Sequence, residues 1–127
     1  MRFLLDSSFV IDYLNEIAGR QAGPAHAWFR RNRGAELWIS PVTSTEVLEG
    51  ASDAAAVREA FRAFRWQTIG RQQAERAALR QSRAAQRMGE NDAWQIAVAE
   101  CMEAVIVGHD PSAFDRLGEG YEDHRQP

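Results

Sequence analysis

The sequence has 127 residues, of which 45% are hydrophobic and 26% charged, and this balance is typical of one globular domain around a single core. All 15 basic residues are arginine, which excludes chemistry that needs a lysine amine, such as a Walker A loop or a Schiff base. Apolar runs such as residues 104–107 are far shorter than the roughly 20 residues that span a bilayer, and no secretory signal is visible. We therefore expect a cytoplasmic protein without membrane contact.

The chain begins with the pattern of a strand followed by a helix. Residues 2–6 form a short apolar run that ends in Asp6, which indicates a buried strand of a parallel sheet. Apolar residues then recur at helical spacing, and we expect Ser7 or Ser8 to cap this helix. Residues 24–33 predict a second helix.

The next segment predicts a second strand and two more helices. Residues 36–41 form an apolar run that ends in proline, which favours a strand. The motif Thr43-Ser-Thr-Glu46 fits a capping box, so we expect a short helix to begin there and to end at Gly50. A further helix is expected over about residues 52–65.

The third quarter of the chain is rich in alanine and arginine and predicts a long helix. Strong helix formers fill residues 71–88, and Gly89 is expected to end the helix. Asn91 or Asp92 then begins another helix, and residues 104–108 predict a fully buried strand.

The alternation of strands and helices predicts an α/β fold. It favours a sandwich in which a short, mainly parallel sheet of four or five strands is flanked by helices. The polar tail, residues 118–127, either adds an edge strand around Tyr121 or frays, and the sequence leaves both open.

Four acidic residues occupy positions where such folds place ligands. Asp6 and Asp110 follow two predicted parallel strands, and Glu46 and Asp92 stand near the starts of two helices. Each acid alone is explained by capping or surface charge, but together they indicate a site for a hard cation that prefers oxygen ligands. Without these four charges, the net charge of −3 becomes +1 for the rest of the molecule, so binding of nucleic acid stays open.

The motifs around these acids are Leu4-Leu-Asp6-Ser-Ser, Thr45-Glu46-Val-Leu-Glu-Gly50, Asn91-Asp92-Ala-Trp-Gln-Ile96-Ala97 and Val107-Gly-His-Asp110 followed by Phe114. In this order they resemble the PIN-domain ribonucleases, and more narrowly the VapC-type toxins of bacterial toxin–antitoxin pairs. The resemblance covers about residues 2–117. It departs at Gly108, where the family usually has threonine or serine.

The resemblance implies a fold, an activity and a set of site residues. The whole chain, residues 1–127, would form one PIN-like three-layer sandwich that hydrolyses RNA phosphodiester bonds with Mg²⁺ or Mn²⁺. Asp6 and Asp92 would be the principal metal ligands, and Glu46 and Asp110 would bind metal or position water. Ser7 and Asn91 would support the ligands through hydrogen bonds. The missing hydroxyl at Gly108 would affect the orientation of a metal-bound water.

Partners also follow from the resemblance. A small VapB-like antitoxin would block the site, and the enzyme would form a homodimer. Arg76, Arg80, Arg83 and Arg87 are spaced to share one face of the long helix, where Arg80 and Arg83 either contact RNA backbone or form a solvated surface.

Three other functions remain to be compared with RNA cleavage. A catalytically impaired PIN-like module that binds RNA or protein is the main alternative, since Gly108 replaces the usual hydroxyl residue. A DNA-directed nuclease would use related chemistry, and only the usual substrate of the resembling family favours RNA over DNA. A haloacid-dehalogenase-type phosphatase requires a second acid two residues after the first, and that position is Ser8.

Overall fold

The computed structural model describes residues 1–126 and shows five parallel strands in the order β3-β2-β1-β4-β5. This confirms the predicted α/β class and parallel sheet. Strand β1 is central, with Leu4 opposite Trp38 of β2 and Ile106 of β4. The strands are β1 (Arg2–Leu5), β2 (Glu36–Ile39), β3 (Arg65–Trp66), β4 (Val105–Gly108) and β5 (Tyr121–Asp123).

Seven α-helices accompany the sheet within residues 1–126, and a 3₁₀ segment, Asp115–Gly120, leads into β5. In this part of the chain, every helix falls short of the length and apolar character that crossing a bilayer requires. The helices are α1 (Ser7–Ala18), α2 (Pro24–Arg31), α3 (Pro41–Glu49), α4 (Ala54–Phe61), α5 (Arg71–Arg83), α6 (Glu90–Cys101) and α7 (Pro111–Phe114).

The alternation of side chains along β1 divides the core into two clusters. Phe3 and Leu5 point to one face of the sheet and Leu4 to the other. The first cluster contains Phe9 of α1, Trp28 of α2, Val47 of α3 and Val57 of α4, and the second contains Ile96 of α6, Ile106 of β4 and Phe114 of α7. Helices therefore cover both faces of the sheet, which confirms the predicted three-layer sandwich.

The helices that follow β1 and β2 begin earlier than the sequence predicts. The cap of α1 is Asp6, whose carboxylate accepts a 3.4 Å hydrogen bond from the Ser8 amide, so the prediction of a Ser7 or Ser8 cap is wrong. The cap of α3 is Ser40, followed by a proline whose fixed φ suits the first helical position. The capping box at Thr43 is therefore also wrong.

Tertiary packing changes the predicted ends of two other helices. The long helix α5 ends at Arg83 rather than Met88, because the chain leaves the helix to bury the Met88 side chain. Both main-chain polar groups of Met88 bond to the amide of Gln81, and Gly89 precedes α6 instead of ending α5. The helix expected over residues 52–65 is the shorter α4, and Arg65, the last residue of the expected helix, belongs to β3.

The tail adds strand β5 beside β4, which is one of the two predicted outcomes. Two side chains, Glu122 in β5 and His124 directly after it, connect this end of the chain to α2 and α1. The indole of Trp28 donates to Glu122 at 2.5 Å, and the imidazole of His124 lies 2.7 Å from Asp12. The final residue of the predicted tail, Pro127, lies outside the described residues.

Candidate active site

Asp6 lies at the carboxyl end of the central strand and is almost completely buried, with 6% of its surface exposed. Its amide donates to the carbonyl of Val107 at 2.8 Å, and the Ser8 hydroxyl donates to its Oδ2 at 2.8 Å. Burial raises the pKa of Asp6 to about 6, and the negative charge of Glu46 adds to this rise, while the hydrogen bonds from Ser8 oppose it. Asp6 is thus a carboxyl group held in a place that disfavours its charge.

Glu46 lies within electrostatic reach of Asp6. It is the sixth residue of α3, because the helix begins at Pro41 rather than at the predicted capping box, and its side chain is half-buried. Helix α3 follows β2, the neighbour of β1, so Asp6 and Glu46 reach the same edge of the sheet from adjacent strands.

Asp92 and Asp110 form a second pair of acids. Asp92 lies in the first turn of α6, and Asp110 follows β4 and caps α7 by accepting a 3.3 Å hydrogen bond from the amide of Ala113. Burial raises the pKa of Asp92, the charge of Asp110 raises it further, and Arg116 opposes the rise.

The four predicted site residues therefore lie as two interacting pairs, Asp6 with Glu46 and Asp92 with Asp110. Across residues 1–126, no three acidic, histidine or cysteine side chains are arranged to hold a metal ion. In the same range, no side-chain nitrogen of an arginine or histidine lies within 4.0 Å of a carboxylate oxygen of these four acids. An unneutralised set of carboxylate oxygens suits a hard divalent cation, which can use one or two carboxylates and water.

A chain of buried polar side chains ties α6 to the ends of β1 and β2. The Ser40 hydroxyl donates to Gln95 Oε1 at 2.7 Å, the Gln95 amide donates to Thr43 at 2.8 Å, and the Thr43 hydroxyl donates to the carbonyl of Leu5 at 2.8 Å. These three polar side chains are fully buried, so the network fixes where α3 and α6 meet the carboxyl edge. Gln95 was not among the predicted site residues, although a glutamine inside an apolar helix is a recognisable signal.

The backbone of Gly108 packs directly against Asp6 and Ser8. A Cβ atom at this position would lie 2.8 Å from the Asp6 Cβ and 2.8 Å from the Ser8 hydroxyl. That hydroxyl also accepts a 2.8 Å hydrogen bond from the amide of His109. The Ser8 hydroxyl, which was not predicted as a supporting group, thus bonds to Asp6 and occupies the space that a side chain at Gly108 would need.

Strand β5 positions the segment that carries Asp110. The Tyr121 hydroxyl accepts a 3.0 Å hydrogen bond from the Asp110 amide, and His109 Nδ1 lies 3.0 Å from Asp123. The sequence offered no signal for either contact. Asn91, predicted to support Asp92, is exposed at the start of α6, and Ser7 is half-buried beside Asp6.

The predicted arginine face of α5 contains three of the four predicted arginines. Arg76 and Arg80 both bond to Glu100 of α6, whereas Arg83 is exposed at the end of α5. Arg87 is not part of α5, because the helix ends before it.

Comparison with known protein families gives a match to the PIN domain over residues 3–120. The chain belongs to the PIN-domain family. Membership of the PIN family is consistent with a nuclease. Comparison with curated protein sequences gives no match.

Solved structures with the same fold include several toxins. A toxin–antitoxin complex from Klebsiella pneumoniae aligns with a TM-score of 0.79 and 20% identity, over 95% of this chain and 96% of that chain. VapBC-1 from nontypeable Haemophilus influenzae aligns with a TM-score of 0.75 and 18% identity, over 99% and 100%. Mycobacterium tuberculosis VapC20, described as a toxin that cleaves the sarcin–ricin loop, aligns with a TM-score of 0.69 and 16% identity, over 92% and 95%. These similarities establish the fold.

Proposed function

We propose that this PIN-domain protein is an endoribonuclease that hydrolyses RNA phosphodiester bonds with Mg²⁺ or Mn²⁺ and acts as the toxin of a VapBC-type pair. The observation that carries the proposal is the set of four unneutralised acids at one edge of a PIN-family sheet, with Asp6 buried at its centre. A related fold in a toxin that cleaves the sarcin–ricin loop supports RNA as the substrate.

Asp6 and Asp92 would be the principal metal ligands, and Glu46 and Asp110 would complete the site or orient water. A bound divalent cation would supply charge stabilisation for the phosphoryl oxygens and a water of lowered pKa. The chain's own contribution is orientation: the Ser8 hydroxyl fixes one oxygen of Asp6 and leaves the other for a ligand. Ser7 and Asn91 remain proposed supporting residues.

An apolar surface on α1 is evidence that the protein binds a protein partner. A groove of about 440 Å³ runs between α1 and the α3–α4 pair, and Ile11 and Ile17 are 43% and 47% exposed beside it. We assign this surface to a small VapB-like antitoxin, in line with the toxin–antitoxin complexes that share the fold. The proposed homodimer is tested separately by sedimentation of the purified chain.

The direct test is cleavage of a mixed RNA pool by purified protein in Mg²⁺, Mn²⁺ or EDTA. We expect metal-dependent cleavage that is lost in Asp6→Asn and Asp92→Asn. The matched control is Asp53→Asn, which changes an exposed acid that caps α4 and is not one of the four site acids. Cleavage that continues in EDTA, or that survives both site substitutions, would refute the proposal.

A catalytically impaired binding module is the second candidate. It is favoured by the lack, within residues 1–126, of any three side chains arranged to hold a metal. This candidate predicts that folded wild-type protein binds RNA or a protein partner and cleaves RNA in none of the metals.

A further inference from the structure

Four arginines surround a cavity of about 370 Å³ beside the acidic site. Arg76, Arg80 and Arg83 come from α5, and Arg116 comes from the 3₁₀ segment that follows α7. We call these four residues the arginine cluster. The cavity is also lined by apolar side chains, including Leu79 and Met88. Its volume lies in the range of sites that hold a small ligand or one unit of a polymer.

The arginine cluster carries more positive charge than its neighbours neutralise. Glu100 of α6 bonds to both Arg76 and Arg80, and hydrogen bonding from Arg80 lowers the pKa of Glu100 to about 2. Arg83 and Arg116 are exposed, and among residues 1–126 no carboxylate oxygen lies within 4.0 Å of a guanidinium nitrogen of either residue. Four guanidinium groups and one carboxylate leave three positive charges, in a chain whose net charge is −3.

The arginine cluster adjoins the second pair of acids. Arg116 lies in the segment directly after α7, the helix that Asp110 caps. The positive charge of Arg116 lowers the pKa of Asp92, partly offsetting the rise caused by burial. A polyanion such as RNA is repelled by four carboxylates, so a binding surface of opposite charge is needed next to them. A phosphodiester chain that lies over the acids can reach the arginine cluster with an adjacent phosphate.

We propose that the arginine cluster binds a backbone phosphate of single-stranded RNA next to the phosphodiester bond held at the acids. Guanidinium groups suit phosphate because they donate two parallel hydrogen bonds to it. The exposed side chain of Leu79 offers an apolar surface to the ribose or base of the same nucleotide. Arg76 and Arg80 are held in place by Glu100, and Arg83 and Arg116 have donors free for the ligand. The inference rests on the proposed function, because it assumes an RNA substrate.

The test measures binding separately from cleavage. Fluorescein-labelled single-stranded RNA of mixed sequence is titrated in EDTA with wild-type protein, Arg83→Gln, Arg116→Gln and the double variant, at several salt concentrations. The matched control is Arg58→Gln, since Arg58 is also an exposed arginine in the last turn of a helix, but on the opposite face of the sheet. Thermal unfolding of each variant shows whether the fold is kept.

We expect each cluster variant to weaken RNA binding at least about fivefold and to lower the slope of log K against log salt by roughly 0.7, the value for one phosphate contact on a single strand. The Arg58→Gln control should bind as the wild type does. Cluster variants that bind like this control overturn the inference and leave the proposed function intact. Absence of RNA binding by the wild type also overturns it, and the metal-dependent cleavage assay then decides the proposed function independently.

Discussion

Substituting Gly108 by alanine or threonine should disable the site, even though the family resemblance leads us to expect threonine or serine there. The added Cβ would lie 2.8 Å from the Asp6 Cβ and 2.8 Å from the Ser8 hydroxyl, where ordinary contacts exceed 3.4 Å. Relief requires a shift of about half an ångström in Asp6 or in strand β4, and such overpacking costs about 1–3 kcal/mol of stability. Because a misplacement of about 1 Å can cost 100-fold in rate, we expect a loss of at least tenfold in cleavage.

The assay pairs urea unfolding with RNA cleavage in Mn²⁺. Gly50→Ala is the matched control, since its Cβ would meet nothing closer than a carbonyl at 3.9 Å and its φ of −92° suits any residue. We expect this control to change stability by less than about 0.5 kcal/mol. If Gly108→Ala and Gly108→Thr were as stable and active as the control, the close packing of Gly108 on Asp6 and Ser8 would not matter for the site.

Three other substitutions probe the site. Burial raises the pKa of Asp6 to about 6 in the folded protein, whereas an aspartate in the unfolded chain loses its proton near pH 4. Above pH 6 the ionised Asp6 therefore lowers the free energy of unfolding by up to about 3 kcal/mol. Asp6→Asn should therefore raise stability to urea at pH 7.5 in EDTA and change it little at pH 4; equal effects at both pH values would contradict this. Gln95→Leu leaves the buried Ser40 hydroxyl without an acceptor and removes one of the two hydrogen bonds of Thr43, so it should cost about 2–3 kcal/mol in the same assay, whereas a neutral effect would show that the network is dispensable. Tyr121→Phe removes the acceptor of the Asp110 amide and should slow cleavage with a stability loss of only about 1 kcal/mol; unchanged cleavage would argue against this positioning.

The sequence predicted the central part of the fold because its signals are local. The apolar runs of β1, β2 and β4 are short and continuous, as buried parallel strands require, and an acid follows two of them. Strand β3 has only two residues, both exposed, and it is defined by its pairing with β2. No local pattern in the sequence therefore predicts it. The end of α5 escaped prediction for a similar reason, since the burial of Met88 overrides a run of good helix formers.

The candidate site was predicted only at the level of its acids. Their order along the chain was sufficient to nominate them, but the division into two pairs depends on how strands and helices pack. Ser8, which bonds to Asp6, also joins the distant His109 amide, and Tyr121 contacts the Asp110 amide only because β5 pairs with β4. In the sequence, Gly108 indicates only that a hydroxyl is missing. The structure shows that the Gly108 backbone packs against Asp6 and that the Ser8 hydroxyl occupies the space a side chain would need.

The central claim is that the two acid pairs work as one catalytic site. The measurement that tests it most directly is the rate of metal-dependent RNA cleavage by Asp6→Asn, Asp92→Asn and the double variant. If the pairs act together, either substitution removes the catalytic function and the double variant is no slower than the slower single variant. Losses that multiply in the double variant, or cleavage that persists in either single variant, would contradict the account.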